Sequence, residues 1–194
     1  MSELELSNAE NLDDVRWVET GVHPSIRIRS TTESDWRRLS EFRLENAAAH
    51  PISYGATYEQ TLAFDEEAWR MRARRGDRDD AAQWVAIEEA TGRWVSVMAC
   101  QLGDDLGPEP VLTGVYTSEE FRGRSYGIAD ALLELVETWA AEHGDSLRLF
   151  VHEDSEPARR FYRRHGFIET GRTHVAAISD REGAMSVEMA KSLN

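Results

Sequence analysis

Cysteine is nearly absent from this chain of 194 residues: Cys100 stands alone. That excludes an internal disulfide framework and any metal site built from clustered thiolates. With no oriented histidine partner in view, Cys100 reads as a small buried strand residue and not a nucleophile. Long apolar runs are missing too, so no membrane span is expected. Residues 1–10 are acidic and lack the basic-then-apolar order of a secretory leader, which makes the cytoplasm the expected address. Positive charge is scarce: 22 Lys and Arg face 36 Asp and Glu, a net charge of −14. Such a balance disfavours duplex nucleic acid and anionic membranes as partners. It suits a cationic substrate mildly, and plain solubility better. Lys191 is the only lysine. His23, His50, His143, His165 and His174 show no metal-ligand spacing, so no metal is expected.

What is present is an ordinary globular mixture, 41% hydrophobic and 30% charged, enough for one sizeable core. Residues 1–24 read as an acidic extension ended by Pro24, and 25–194 as one domain. Ile26 and Ile28 alternate with arginines as a short strand. The cap-rich Thr31–Asp35 run precedes Trp36, Leu39, Phe42 and Leu44 at helical spacing, and Pro51 and Gly55 end that helix. Asp65–Glu67 opens a second helix. Gln83–Ile87 and Trp94–Gln101 form a hairpin around Thr91–Gly92, followed by an acidic loop over Gly103–Pro110 and a strand at Val111–Thr117. Ile128, Leu132, Leu135, Val136 and Trp139 mark an amphipathic helix ending at Gly144. Leu147–Val151 is a strand, Pro157–Arg164 a short helix, and Phe167–Gly171 and Met185–Met189 are closing strands. The order predicts an α+β protein, a sheet covered by helices.

The stretch richest in chemistry runs from Val115 to Ala129. A strand enters a loop holding Arg122, Gly123, Arg124 and Gly127, which leads straight into the long helix. Glycines let backbone N–H groups turn inward, the helix start offers unpaired donors, and arginines add charge at the rim, so a phosphate ester fits there. Gly127 is expected where a Cβ would intrude on that phosphate. A Walker A loop would end in Gly-Lys-Ser/Thr, and this loop has no lysine. The dinucleotide fingerprint has a different spacing.

Arg124-Ser125-Tyr126-Gly127-Ile128-Ala129 resembles the pyrophosphate loop, R/Q-x-x-G-x-G/A, of the GCN5-related N-acetyltransferase (GNAT) superfamily. A second register, Arg122-x-x-Ser125-x-Gly127, sets the arginine better relative to the strand but puts serine at a usual glycine. Downstream, Leu149 to Phe167 is similar to the family's V-x-x-x-N-x-x-A-x-x-F-Y-x-x-x-G-F segment, with Ser155 in place of asparagine and Ala158, Phe161 and Tyr162 matching. Thr170-Gly171 and Glu188-Met189 fit its end.

The resemblance implies a mixed, mostly antiparallel sheet flanked by helices, with a splayed central strand pair forming a coenzyme A cleft. It implies acetyl-CoA as cosubstrate and acetyl transfer to a primary amine by direct attack. The pantetheine arm would pair with backbone at Val115 and Thr117, and a backbone N–H near Tyr116 would meet the oxyanion. Backbone donors from Arg124 to Ala129 would hold the pyrophosphate, with Ser155 and Ala158 beside the cofactor arm. Tyr162 would protonate the leaving thiolate, although Tyr162 next to Phe161 also fits simple core packing. His152 lies at a strand end near the cleft and reads better as a capped or exposed histidine than as a base. Glu119 and Glu120 read equally as water-relayed bases or surface carboxylates, so no base is assigned. Arg159, Arg160, Arg163 and Arg164 read as a solvated helix face.

The resemblance places the acceptor wall at 47–59, where Tyr54, Tyr58 and Glu59 offer aromatic faces and charge to a cationic amine, with Val175–Gly183 opposite. The acceptor is open: a small amine, an amino acid, an antibiotic, or a protein N-terminus or lysine. A homodimer is in keeping with the family. Two other readings stand beside the enzyme, a non-catalytic acyl-CoA-binding regulator and an interaction protein that docks a partner through the acidic extension.

Overall fold

The structure, a computed structural model, describes residues 16–179 and 182–194. Eight strands make one sheet: β1 (Trp17–Val18), β2 (Ile26–Ser30), β3 (Ala81–Glu88), β4 (Trp94–Asp104), β5 (Gly107–Thr117), β6 (Ser146–His152), β7 (Ile168–Val175) and β8 (Met185–Ser192). Their spatial order is β1-β2-β3-β4-β5-β6-β8-β7. Every neighbouring pair is antiparallel except β5–β6, which is parallel and registers at one position, Val111 opposite Arg148. Beyond that point the two strands part. The sheet is therefore mixed and mostly antiparallel, with a fork at its centre.

Helices cover both faces. On one side α5 (Ile128–Ala141) sets Ile128, Leu132, Leu133, Val136 and Ala140 against the sheet. Each such apolar side chain contributes roughly 1.5–3 kcal/mol when removed from water, so this stripe holds the helix. α6 (Glu156–Arg164) joins the same core through Tyr162. On the other face α1 (Trp36–Ala49) and α4 (Glu66–Ala73) bury Leu39, Phe42, Trp69 and Ala73 against Val85, Ile87, Val97 and Tyr116. The two cores explain why β3 and β4 read as near-continuous apolar runs: both faces are covered.

Two buried arginines, Arg29 and Arg148, are paired with carboxylates. Arg29 grips Asp35 with two hydrogen bonds of 2.7 Å, fixing the start of α1 to β2. Arg148 sits at the fork and donates to Asp104 at 2.8 Å and to the fully buried Glu188 at 3.3 Å, tying β4, β6 and β8 together.

Several boundaries differ from the sequence expectations, for local reasons. The acidic loop over 103–110 is mostly strand: β4 runs to Asp104 and β5 begins at Gly107, so only Asp105 and Leu106 turn. This end of the hairpin is largely exposed, which removes the apolar alternation that strand reading relies on. The connection after α1 holds two short helices, α2 (Pro51–Tyr54) and α3 (Tyr58–Leu62). The second starts on a Thr57–Gln60 capping box, a signal present in the sequence. Within the expected extension, Trp17–Val18 pairs with Ile28 and Arg29, while residues 1–15 lie outside the described residues. All eight residues of β7 are exposed, so the apolar pattern stops short of that strand's end.

Candidate active site

The fork in the sheet opens a cleft of about 550 Å³ between β5 and α6, roofed by the β5–α5 loop. Val115, Tyr116 and Thr117 form its strand wall. The Tyr116 carbonyl accepts a 2.8 Å hydrogen bond from Ser96 Oγ on the β4 side. By strand alternation, the backbone groups of Val115 and Thr117 then face the gap where β6 has left. No neighbouring strand takes these groups; the Thr117 carbonyl is held by Arg122, and the Val115 groups are left to meet a ligand.

A bulge shapes this wall. The β4–β5 register shifts between Val97 and Ala99, and Gly114 takes a left-handed φ of +59° there. Arg43 of α1 donates from Nη2 to the Gly114 carbonyl at 2.7 Å.

The loop from Ser118 to Gly127 supplies the second wall. Arg122, Gly123 and Arg124 line the cleft, and Arg122 Nε donates to the Thr117 carbonyl at 2.8 Å. Gly127 caps α5 at φ +67°, and Ala131 N–H is bonded back to the Gly127 carbonyl. The N–H groups of the first turn are therefore free of helical partners and carry the positive end of a 14-residue helix. A Cβ built on Gly127 meets nothing within 4 Å. The left-handed backbone by itself favours glycine there, with no crowding from the protein's own atoms. The donor set, two arginines, inward backbone and a helix start, fits a pyrophosphate.

The third wall is α6, with Pro157, Ala158, Phe161, Tyr162 and Arg164. Ion pairs hold it: Glu169 at the start of β7 accepts from Arg159 at 2.6 Å and Arg163 at 2.9 Å, and these hydrogen bonds keep its carboxyl below the usual range. Arg164 and His165 both reach Asp130 of α5, at 2.5 and 2.8 Å. Arg159, Arg163 and Arg164 thus anchor the helix, while Arg160 is exposed and, among the described residues, pairs only with Glu156 of the same helix. Tyr162 is buried against Phe161 and Phe167, with ring centroids 5.4 and 5.6 Å away. Its hydroxyl makes no hydrogen bond to a described residue, and burial raises its pKa, so the proton stays on until an acceptor arrives.

The cleft brings together Val115, Tyr116, Thr117, Arg122, Gly123, Arg124, Ala129, Ala158 and Tyr162. Ser125, Tyr126, Gly127, Ile128 and Ser155 are outside its lining. Ile128 is a core residue, Tyr126 packs on Phe121 and His23, and Ser155 is the N-cap of α6. Tyr54, Tyr58 and Glu59 also lie outside the lining; Tyr58 is exposed on α3 and Tyr54 leans over Arg43. The Val175–Gly183 wall includes residues 180 and 181, outside the described residues. His152 is a turn cap: its Nδ1 accepts the Asp154 N–H at 3.1 Å. Glu120 is paired with Arg93 and Glu119 lies 3.2 Å from His50. Cys100 is buried and its thiol is pushed up to about 12 by desolvation. Among the described residues no cluster of three or more metal-ligating side chains occurs, and no helix is long and apolar enough to cross a membrane.

Asn46, near the end of α1, lines the cleft and had no place in the sequence reading; His50, inside the expected 47–59 acceptor wall, lines it too, close to Tyr116. Their spacing from Arg43, three and then four residues, was the available signal for a shared helix face.

The model of the acetyltransferase (GNAT) family matches residues 39–167, more than half of the chain. The chain belongs to the GNAT family. The fold agrees: a GNAT acetyltransferase structure from Streptococcus pneumoniae superposes with a TM-score of 0.73 at 16% identity, covering 87% of this chain and 99% of that one. The ribosomal L7/L12 alpha-N-protein acetyltransferase RimL, solved in complex with coenzyme A, gives 0.67 at 16% identity over 91% and 98%. A GCN5-related N-acetyltransferase from Kribbella flavida gives 0.65 at 19% identity over 87% and 98%. No curated protein matches significantly. Membership makes this GNAT protein an N-acetyltransferase, and the regulator and interaction-protein readings give way to the enzyme.

Proposed function

We propose that this GNAT enzyme uses acetyl-CoA to acetylate a primary amine by direct attack, in the cleft at the β5–β6 fork. The observation that carries the reading is the coincidence, in one cavity, of an unpaired strand edge, a helix-start anion cradle and a buried tyrosine hydroxyl. Acetyl-CoA supplies an activated acetyl thioester. Arg122, Arg124 and the first-turn N–H groups of α5 would hold its pyrophosphate, and the cleft-facing groups of Val115 and Thr117 its pantetheine amides. A backbone N–H of the bulged Val115–Thr117 segment would take the developing oxyanion charge. Tyr162, with its proton retained by burial, would protonate the departing thiolate.

Tyr162→Phe tests this assignment. It keeps the ring packing and removes only the acid. Thiol release should fall by roughly 10²–10⁴-fold, as for loss of a positioned general acid, with acetyl-CoA affinity nearly unchanged. Undiminished turnover would remove Tyr162 from the mechanism.

A further inference from the structure

One face of α1 carries polar atoms that the protein itself does not satisfy. Arg43, Asn46 and His50 fall at helical spacing toward β5. Arg43 is buried at 5% exposure, bonds Gly114 through Nη2, and leaves Nη1 without a partner. Asn46, at 1% exposure, lines the cleft with both amide atoms unpartnered. A buried polar atom without a partner is costly; Asn46 lines the cleft and Arg43, one turn before it on α1, lies outside that lining, so the pair points to a ligand that reaches past Asn46 to complete both.

The sign of the charge decides the ligand. Among the described residues no carboxylate lies in ion-pair contact with Arg43, in a chain of net charge −14. Burial lowers the pKa of its guanidinium to about 10; Tyr54 opposes that shift, and the neighbouring cations Arg75 and Arg72 add to it. It therefore remains protonated at neutral pH. A fork of guanidinium N–H groups with an amide N–H₂ one turn away is suited to a carboxylate. Tyr54 at the end of α2 lies over the guanidinium at 5.7 Å, so its ring already faces a cation of this chain. Both orphan groups are shut off from solvent. An incoming carboxylate has to displace a cover, and the four-residue α2, ended by the left-handed Gly55, is the segment that lies there.

We propose that the acceptor is a small zwitterionic amine of the amino-acid type, with its carboxylate held by Arg43 Nη1 and Asn46 Nδ2 and its amine turned toward the β5 bulge. This rests on the transferase reading and names its substrate class.

The test compares matched amines. Glycine, L-alanine, L-methionine and L-glutamate, each with its carboxamide and its decarboxylated amine, are assayed for thiol release from acetyl-CoA. The same compounds are titrated calorimetrically into CoA-saturated protein. Carboxylate members should bind and react with kcat/KM roughly tenfold or more above their carboxamides, as expected where a buried donor is left unpaired by the analogue. Arg43→Met should erase that preference, mainly through KM, while CoA binding and the melting temperature report an intact fold; Arg43→Lys should restore part of it. Carboxamides and decarboxylated amines reacting as well as the carboxylates would overturn the anion site and leave the transferase reading intact. Carboxylate binding without thiol release in any member would overturn the transferase reading and uphold the anion site. Absence of carboxylate binding and of any preference would overturn the anion site.

Discussion

At the scale of the residue, burial sets the chemistry that each reactive group retains. Tyr162 and Cys100 are both desolvated, and in both the neutral form is favoured. For Tyr162, facing the cleft, that is a proton kept in reserve. For Cys100, in the core between β3 and β5, it is inertness: the thiol is raised from 9.0 to about 12. At pH 8 a thiol-specific reagent should therefore react with the native protein far more slowly than with the protein in guanidinium, and fast native labelling would contradict the packing. The sign for stability follows. The folded thiol ionises later than the unfolded one, so its contribution is complete below about pH 9 and is lost as pH rises toward about 12. Sequence reading singled out Tyr162 and Cys100 because a motif or an isolation marked them. It passed over Arg43 and Asn46 because nothing in a helix of Arg, Glu and Ala tells which arginine will face inward without a partner.

At the scale of the element, the site depends on irregularities more than on the regular strands and helices. The bulge at Gly114 and the left-handed Gly127 before α5 each set the direction of a wall. The hairpin of β3 and β4, the amphipathic α5 and the alternating β6 were legible because they carry strong periodicity. The bulge was not, since a lone glycine inside a strand pattern gives its presence but not its register. The short helices α2 and α3 were missed because four or five residues carry too little pattern. One close contact makes this scale testable. A Cβ on Gly76, in the turn after α4, would lie 2.0 Å from the Thr31 carbonyl oxygen and 2.6 Å from its nitrogen. Those are backbone atoms at the end of β2 and cannot swing away. Gly76→Ala should destabilise the protein by about 3 kcal/mol, the upper part of the range for overpacking, as measured by urea denaturation. A change below about 0.5 kcal/mol would mean that the turn does not pack on β2 as described.

At the scale of the whole molecule, one parallel pairing in an otherwise antiparallel sheet creates the cleft. β5 and β6 meet at Val111 and Arg148, and Arg148 is held there by Asp104 and Glu188. Beyond it the strands diverge, and the loop into α5 closes one end of the gap. The chain reads outward from that fork: one face of the sheet belongs to α5 and α6, the other to α1 and α4, whose polar stripe reaches the same gap. The architecture was legible from element order and two motif segments. An acceptor wall was expected at 47–59, which overlaps α2, but the unpartnered Arg43 and Asn46 of α1 were not legible, because no motif lies there.

The central claim is that this fork binds acetyl-CoA. Calorimetric titration of the full chain with acetyl-CoA, with coenzyme A and ATP as controls, tests it most directly. Saturable binding of both pantetheine-bearing ligands near one per chain, with ATP failing to bind comparably, is the result expected from a cradle that holds pyrophosphate and a strand edge that holds pantetheine. Binding of neither, or equal binding of ATP, would contradict the account, because the strand edge would then contribute nothing to recognition.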